Sequence, residues 1–169
     1  MDTINNQTVS SVPFKGFWIR LVAAIIDGFI IILFWSFTFL LLFSVVNTDF
    51  FSDSDMILSL ILSIITLAIV GVIYKPIMET SNYQGTFGKY LLGMKIVNQN
   101  GQKISLTTSV IRTLVYFLQT LIAAPLTVWL LMMIGFTEYK QGLHDLAAKT
   151  FVVSHHWEGA IPLEDNFGV

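Results

Sequence analysis

The stretch FWIRLVAAIIDGFIIILFWSFTFLLLFSVV, residues 17–46, decides the fold class. A helix crosses a bilayer with about 20 mostly apolar residues, and this run exceeds that length. From Phe29 to Val46 it carries no charge. Its entrance holds two charges, Arg20 and Asp27. An arginine near a membrane face extends its head toward water. An aspartate two turns deeper cannot do so. An ionised carboxylate costs about 2.5 to 3.5 kcal/mol at a helix centre and less at this depth. Asp27 therefore calls for a partner, solvent or a proton.

Composition agrees with a lipid-facing chain. Hydrophobic residues make up 54% of the 169 and charged residues only 12%, against about 25% charged in soluble domains. The net charge of −2 leaves no basic footprint for nucleic acid. The absence of cysteine excludes disulfides, thiol catalysis and cysteine-bound metals. Met1 to Pro13 is polar without a basic start, so we expect no cleaved signal peptide.

Two more apolar segments follow, about 56–77 and about 114–136, the latter preceded by Arg112. None alternates like a barrel strand, and lipid leaves helices as the alternative. The connection NTDFFSDSD has Asp49, Asp53 and Asp55 and no basic residue, whereas Lys15, Arg20, Lys75, Lys89, Lys95 and Lys103 flank the other ends. Basic residues near helix ends prefer the cytoplasm. We expect a multi-pass protein of the inner cell membrane with a cytoplasmic N-terminus. Ala124-Pro125 lies mid-way along the third segment, and proline breaks the helical bond ladder. A segment broken near Pro125 returns the tail to the cytoplasm; an unbroken span leaves it outside.

The expected fold is an all-α polytopic membrane protein with three helical segments and a small cytoplasmic β-ribbon. MKIVNQNGQKIS, residues 94–105, reads as a hairpin of 95–97 and 103–105 about Asn100-Gly101. KTFVV, residues 149–153, is a candidate third strand. Residues 137–149 read as a short surface helix with Leu143, Leu146 and Ala147 on its apolar side and Lys140 and Lys149 wet. One domain, 1–153, is expected, followed by a flexible tail, 154–169.

The charges suggest the chemistry. Arg20 and Asp27 share one helix face about 10.5 Å apart, too far to pair. Arg112 and Asp145 are the available partners, giving Arg20–Asp145 and Asp27–Arg112 in either assignment. Such pairs can simply hold helix register, or Asp27 can titrate or contact a cation on a transport path. His144 beside Asp145 is a possible relay group or an interfacial polar residue. Adjacent His155 and His156 point to opposite faces of a strand, so no metal is expected. SNYQGTFGKYLLG, residues 81–93, lacks the glycine-lysine-serine order of a phosphate loop. Gly85 and Gly88 there suit close backbone packing, with Lys89 facing headgroups. Ser59 and Ser63 suit helix contacts. No nucleophile–base set is visible, so no enzyme and no cofactor are expected.

GFWIRLVAAIID, GTFGKYLLGMKIVNQNGQKIS and QGLHDLAAKTFVV, in this order over residues 14–153, resemble the RDD family of membrane proteins. Arg20 and Asp27 match the arginine and first aspartate for which that family is named, and Asp145 the second. The resemblance implies a transport role, including cation/proton exchange, as proposed for some members, or a scaffold role as for others. The expected function is a transporter or permease-like component; the alternative is a non-catalytic scaffold or assembly factor. Expected partners are the lipid bilayer, a second copy or another membrane protein, and a small cation.

Overall fold

Helix α1, Phe17–Val46, and helix α2, Asp53–Thr80, follow directly from the first two apolar runs. The computed structural model describes residues 12–46, 53–122, 132 and 134–162. Both helices are long and apolar enough to cross a membrane, over Phe17–Val45 and Ser54–Thr80. They pack on each other, and their burial is inside-out. Phe29, Leu33, Phe37 and Leu40 of α1 and Ile57, Ile61, Ile65 and Ile69 of α2 are exposed, while Ser59 and Ser63 are fully buried. Each serine hydroxyl donates within its own helix, Ser59 to the Asp55 carbonyl and Ser63 to that of Leu60, both at 2.8 Å. Small, self-satisfied polar residues at a helix contact with apolar groups outside are how helices associate in lipid.

After α2 the chain turns into the short helix α3, Phe87–Leu91, then strand β1, Met94–Val97. Helix α4, Leu106–Ile122, carries a buried polar stripe of Ser109, Arg112, Thr113 and Gln119, with Leu114, Phe117, Leu118 and Leu121 exposed. Of the third apolar segment, 114–136, the part to Ile122 is helical, and so are residues 134–136. The expected break at Pro125 lies outside the described residues. Helix α5, Leu143–Ala147, and strand β2, Phe151–Ser154, complete the elements. The surface helix expected over 137–149 is thus one short turn. Leu143, Leu146 and Ala147 are its exposed side, and His144 and Asp145 point inward.

The ribbon differs from the expected hairpin. β1 pairs antiparallel with β2, Met94 opposite Ser154 and Val97 opposite Phe151. Residues 103–105 form no strand because the other edge of β1 is taken. Ile96 donates its N–H to the Gln84 carbonyl at 2.7 Å, and its own carbonyl accepts from the Gln84 amide. The Asn100-Gly101 turn does form. It closes with Asn98 N–H on the Gln102 carbonyl at 3.0 Å, and the Asn98 side chain accepts two backbone N–H groups across it. The free edge of β2 is met by the residues before α1: Phe14 bridges Val153, and Lys15 N–H donates to Val152 at 3.0 Å.

The ribbon's two faces each bury a core. Met94, Ile96 and Val152 pack with Ala23 and Ile19, seating the ribbon on the first turns of α1. Val97, Phe151 and Val153 pack with Val12 and Ile161. The start of the expected flexible tail therefore belongs to the fold. Ile161 is buried and donates its N–H to Gln99 at 2.8 Å, and Trp157 packs beside it.

Candidate functional site

Where α1, α2, α3, α4 and α5 converge, the chain buries a layer of ionic side chains. Asp145 is its hub. One oxygen of its carboxylate accepts from the Arg20 guanidinium at 2.6 Å and from Gly142 N–H at 3.2 Å. The other accepts from Arg112 at 2.5 Å. Arg20 spends its remaining nitrogens on the carbonyls of Lys15, at 2.8 Å, and Lys140, at 2.5 Å. The arginine of α1 thus clamps both ends of the fold. Arg112 reaches the opposite way as well, to Glu79 of α2 at 3.1 Å, and Ser109 donates to the same Glu79 oxygen at 2.6 Å. Arg112, Glu79 and Asp145 are fully buried. A buried ion pair stabilises only with good geometry and further hydrogen bonds; Asp145 has both, whereas Glu79 Oε1 and two Arg112 nitrogens, Nε and Nη1, make no hydrogen bond among the described residues.

Asp27 does not meet Arg112. Its two oxygens accept the Thr86 hydroxyl at 2.5 Å and Gly88 N–H at 2.7 Å. Thr86 is the N-cap residue of α3 and makes no cap bond of its own. Asp27 therefore caps α3 from another helix, and Tyr74 of α2 accepts the Phe87 N–H at 3.0 Å. A helix start leaves N–H groups without internal partners; here two side chains from the long helices take them. Gly88 makes the approach possible, since a Cβ there would collide with the Ala23 carbonyl and lie 3.0 Å from the Asp27 carboxyl carbon. The carboxylate that looks stranded in the sequence is compensated by α3 folding back, not by an arginine.

Lys89 was expected to face headgroups. Instead its side chain is only 13% exposed, 3.8 Å from Glu79. Lys75 stands over the Tyr116 ring at 3.9 Å, and Tyr116 meets His144 edge-on at 5.5 Å. The His144 ring lies 3.4 Å from Asp145. Burial, helped by Arg112 and Lys75 and opposed by Asp145, pushes His144 down to about 3. Burial alone would raise the Asp145 carboxyl, but His144, Arg112 and Arg20 outweigh it and hold the group well below the usual carboxylate range. Neutral His144 beside ionised Asp145 is the resulting state at neutral pH. Among the described residues no three His, Asp or Glu side chains gather as a metal site requires. His155 and His156, just past the end of β2, meet edge-on, and His155 also meets Tyr90 edge-on.

A family model described as the RDD family matches residues 14–149. The chain belongs to the RDD family. Among Bacillus subtilis (strain 168) proteins it is 33% identical to the uncharacterized protein YxaI, over 82% of this chain and 95% of that one. It is 31% identical to the uncharacterized protein YckC, over 81% and 82%. It is 32% identical to YteJ, described as an uncharacterized membrane protein, over 83% and 80%. No solved structure matches. The membrane nature implied by the RDD resemblance agrees with the two long apolar helices.

In this RDD chain the structure brings Arg20, Asp145, Arg112 and His144 into one layer and places Asp27 beside it, at the α1–α3 contact. Sequence reasoning missed Glu79, Lys75, Thr86 and Ser109 and misplaced Lys89. A signal existed for the first two: Lys75 and Glu79 are i and i+4 at the end of a span. Neighbours at that spacing are ordinarily read as a solvated surface pair. Thr86 had none, because its role depends on α3 docking against α1.

Proposed function

We propose that this RDD protein is a multi-pass, non-catalytic membrane scaffold or assembly component, its ionic layer locking the helices at the cytoplasmic end. One observation carries this reading. Every oxygen of the two family aspartates is engaged by protein donors, Asp27 by Thr86 and Gly88, Asp145 by Arg20, Arg112 and Gly142. Those bonds leave each carboxylate fewer free lone pairs for a cargo cation. The open cleft of about 360 Å³ between Gly16–Trp18 and Met132–Lys140 is lined mainly by apolar groups and by none of these acids. Work is then done by the exposed apolar faces of α1 and α2, which fit lipid and the helices of a second copy or another membrane protein.

Charge supports the orientation. All of the Lys and Arg residues lie outside residues 21–74, and the α1–α2 connection has only acids. The positive-inside rule then puts the N-terminus and the ribbon in the cytoplasm. α1 and α2 cross. The third segment starts and finishes at the ionic layer, since Arg112 and Lys140 both meet partners there. Both described ends of the third segment therefore lie at one level, as expected of a segment that returns to the side from which it starts.

A second reading, a transport component handling a small cation or protons, draws support from the number of ionisable groups in the layer. They exceed what two arginine–carboxylate locks require. Purified protein in liposomes carrying an internal pH dye separates the two readings. The scaffold reading expects no proton flux in response to Na⁺ or K⁺ gradients, together with crosslinks between copies or to a membrane partner from single cysteines placed at Phe37 or Leu40. Cation-driven proton flux that Asp27→Asn abolishes overturns it in favour of transport.

A further inference from the structure

Among the described residues, four cations in and around the ionic layer, Arg20, Lys75, Lys89 and Arg112, stand against three acids, Asp27, Glu79 and Asp145. Arg20 and Arg112 hold Asp145 and Glu79 at close range, Lys75 lies over Tyr116, and Lys89 comes to the already paired Glu79 as a second, more distant cation. The Lys89 stem lies along the bare backbone of Gly85, where a Cβ would lie 3.3 Å from the Lys89 Cβ and 3.8 Å from its Cδ. Its ammonium stands 3.8 Å from Glu79 Oε1, beyond hydrogen-bond reach. That buried oxygen accepts no hydrogen bond in the structure, while its twin is taken by Ser109 and Arg112. An unfilled acceptor and a surplus cation thus face each other across a short gap. The remaining charged or titratable groups around them are Arg20 and Asp27 from α1, Tyr74 and Lys75 from α2, Arg112 and Tyr116 from α4, and His144 and Asp145 from α5.

We propose that Lys89 is a proton-binding site in the ionic layer, the free amine leaving the layer balanced and the ammonium closing on Glu79 Oε1. The step is a simple exchange. The ammonium gives one proton to water at its exposed edge, the N–H electron pair stays on the nitrogen, and uptake reverses this. Burial, reinforced by Arg112 and opposed by Glu79, lowers Lys89 to about 7. The site lies outside the arginine and two aspartates that name the family, and it goes beyond a purely static lock. Because Lys89 sits on α3 and Glu79 on α2, proton uptake draws α3 toward α2, while Asp27 holds the start of α3 to α1.

The full chain in lipid nanodiscs tests this by trace acetic anhydride labelling across pH, each lysine read by mass spectrometry. N-acetyl-lysine amide serves as an internal standard, half-reactive near pH ~10.4. Lys89 is expected to reach half-labelling about three pH units lower. A Lys89 midpoint within one unit of the standard, or no labelling of Lys89 at any pH, overturns the proposal. Lys75→Met, which removes a neighbouring cation without touching an ion pair at contact distance, is expected to move the Lys89 midpoint upward. Glu79→Gln moves it downward where that variant folds. An unchanged midpoint in Lys75→Met shows that the layer does not govern the amine and overturns the charge-balance argument.

Discussion

Asp145 shows why a single buried carboxylate can dominate stability. It accepts from arginines on two different helices and is fully buried. Asp145→Asn removes the acidic partner of Arg20 and leaves Arg112 with Glu79 alone. Loss of one partner of a buried pair costs about 3 to 5 kcal/mol, which unfolding in micelles followed by tryptophan fluorescence would register. The double reversal Arg20→Asp with Asp145→Arg is expected not to restore stability, since an arginine at 145 would face Arg112. A two-residue pair would be rescued; a hub is not. His144 sets the acid limit. Its folded value of about 3 lies below the ordinary 6.5, so between these pH values the unfolded chain binds a proton that the folded chain refuses. Stability therefore falls as pH drops from about 6.5 toward 3, by about 1.4 kcal/mol per pH unit in mid-window. Asp145 contributes stability above the ordinary carboxylate range and loses it only at lower pH, as its depressed folded value is passed. Replacing His144 by Phe, which keeps the edge contact with Tyr116, is expected to flatten the pH 4–6 slope of the unfolding temperature.

The element whose placement matters most is α3. Its five residues are too few to be helical alone, because nucleation costs more than one turn returns. Tyr74, Asp27 and the bare backbone at Gly88 hold it in place. Gly88→Ala pushes a methyl group into the Ala23 carbonyl, and overpacking of this kind costs about 1 to 3 kcal/mol. Hydrogen exchange of residues 87–91 should accelerate, whereas Gly71→Ala, where a Cβ meets nothing within 4 Å, should leave that exchange unchanged. The ribbon illustrates how far local signals reach. The turn at Asn98–Gln102 was legible, because asparagine and glycine chemistry is local. The partner of β1 was not. The Gln84 contact and the antiparallel match to β2 are long-range pairings that no short-range pattern specifies.

At the scale of the molecule, the ionic layer, the ribbon and every Lys and Arg residue gather at the end of the long helices opposite the acidic connection. Compartment-sensitive reporters inserted at the 98–102 turn and after Val169 should report the same, cytoplasmic side, and one in the connection 47–52 the other. A reporter after Val169 that reads outside would contradict the shared level of Arg112, Lys140 and Asp145. It would also remove the ribbon that joins residues 12–15, 94–97 and 151–154.

The sequence by itself determined the lipid-facing class, the two long helices, the RDD membership and the three named charges, because apolar run length and charge are additive properties of contiguous residues. It also pointed to Arg20 and Asp145 as partners once the tail was taken to return. Only the tertiary structure decided that Asp27 caps a helix rather than pairing with Arg112, that Arg112 bridges Glu79 and Asp145, and that Lys89 turns inward. Those choices depend on which donors arrive from distant segments. A buried charge announces that it must be compensated; packing settles by what.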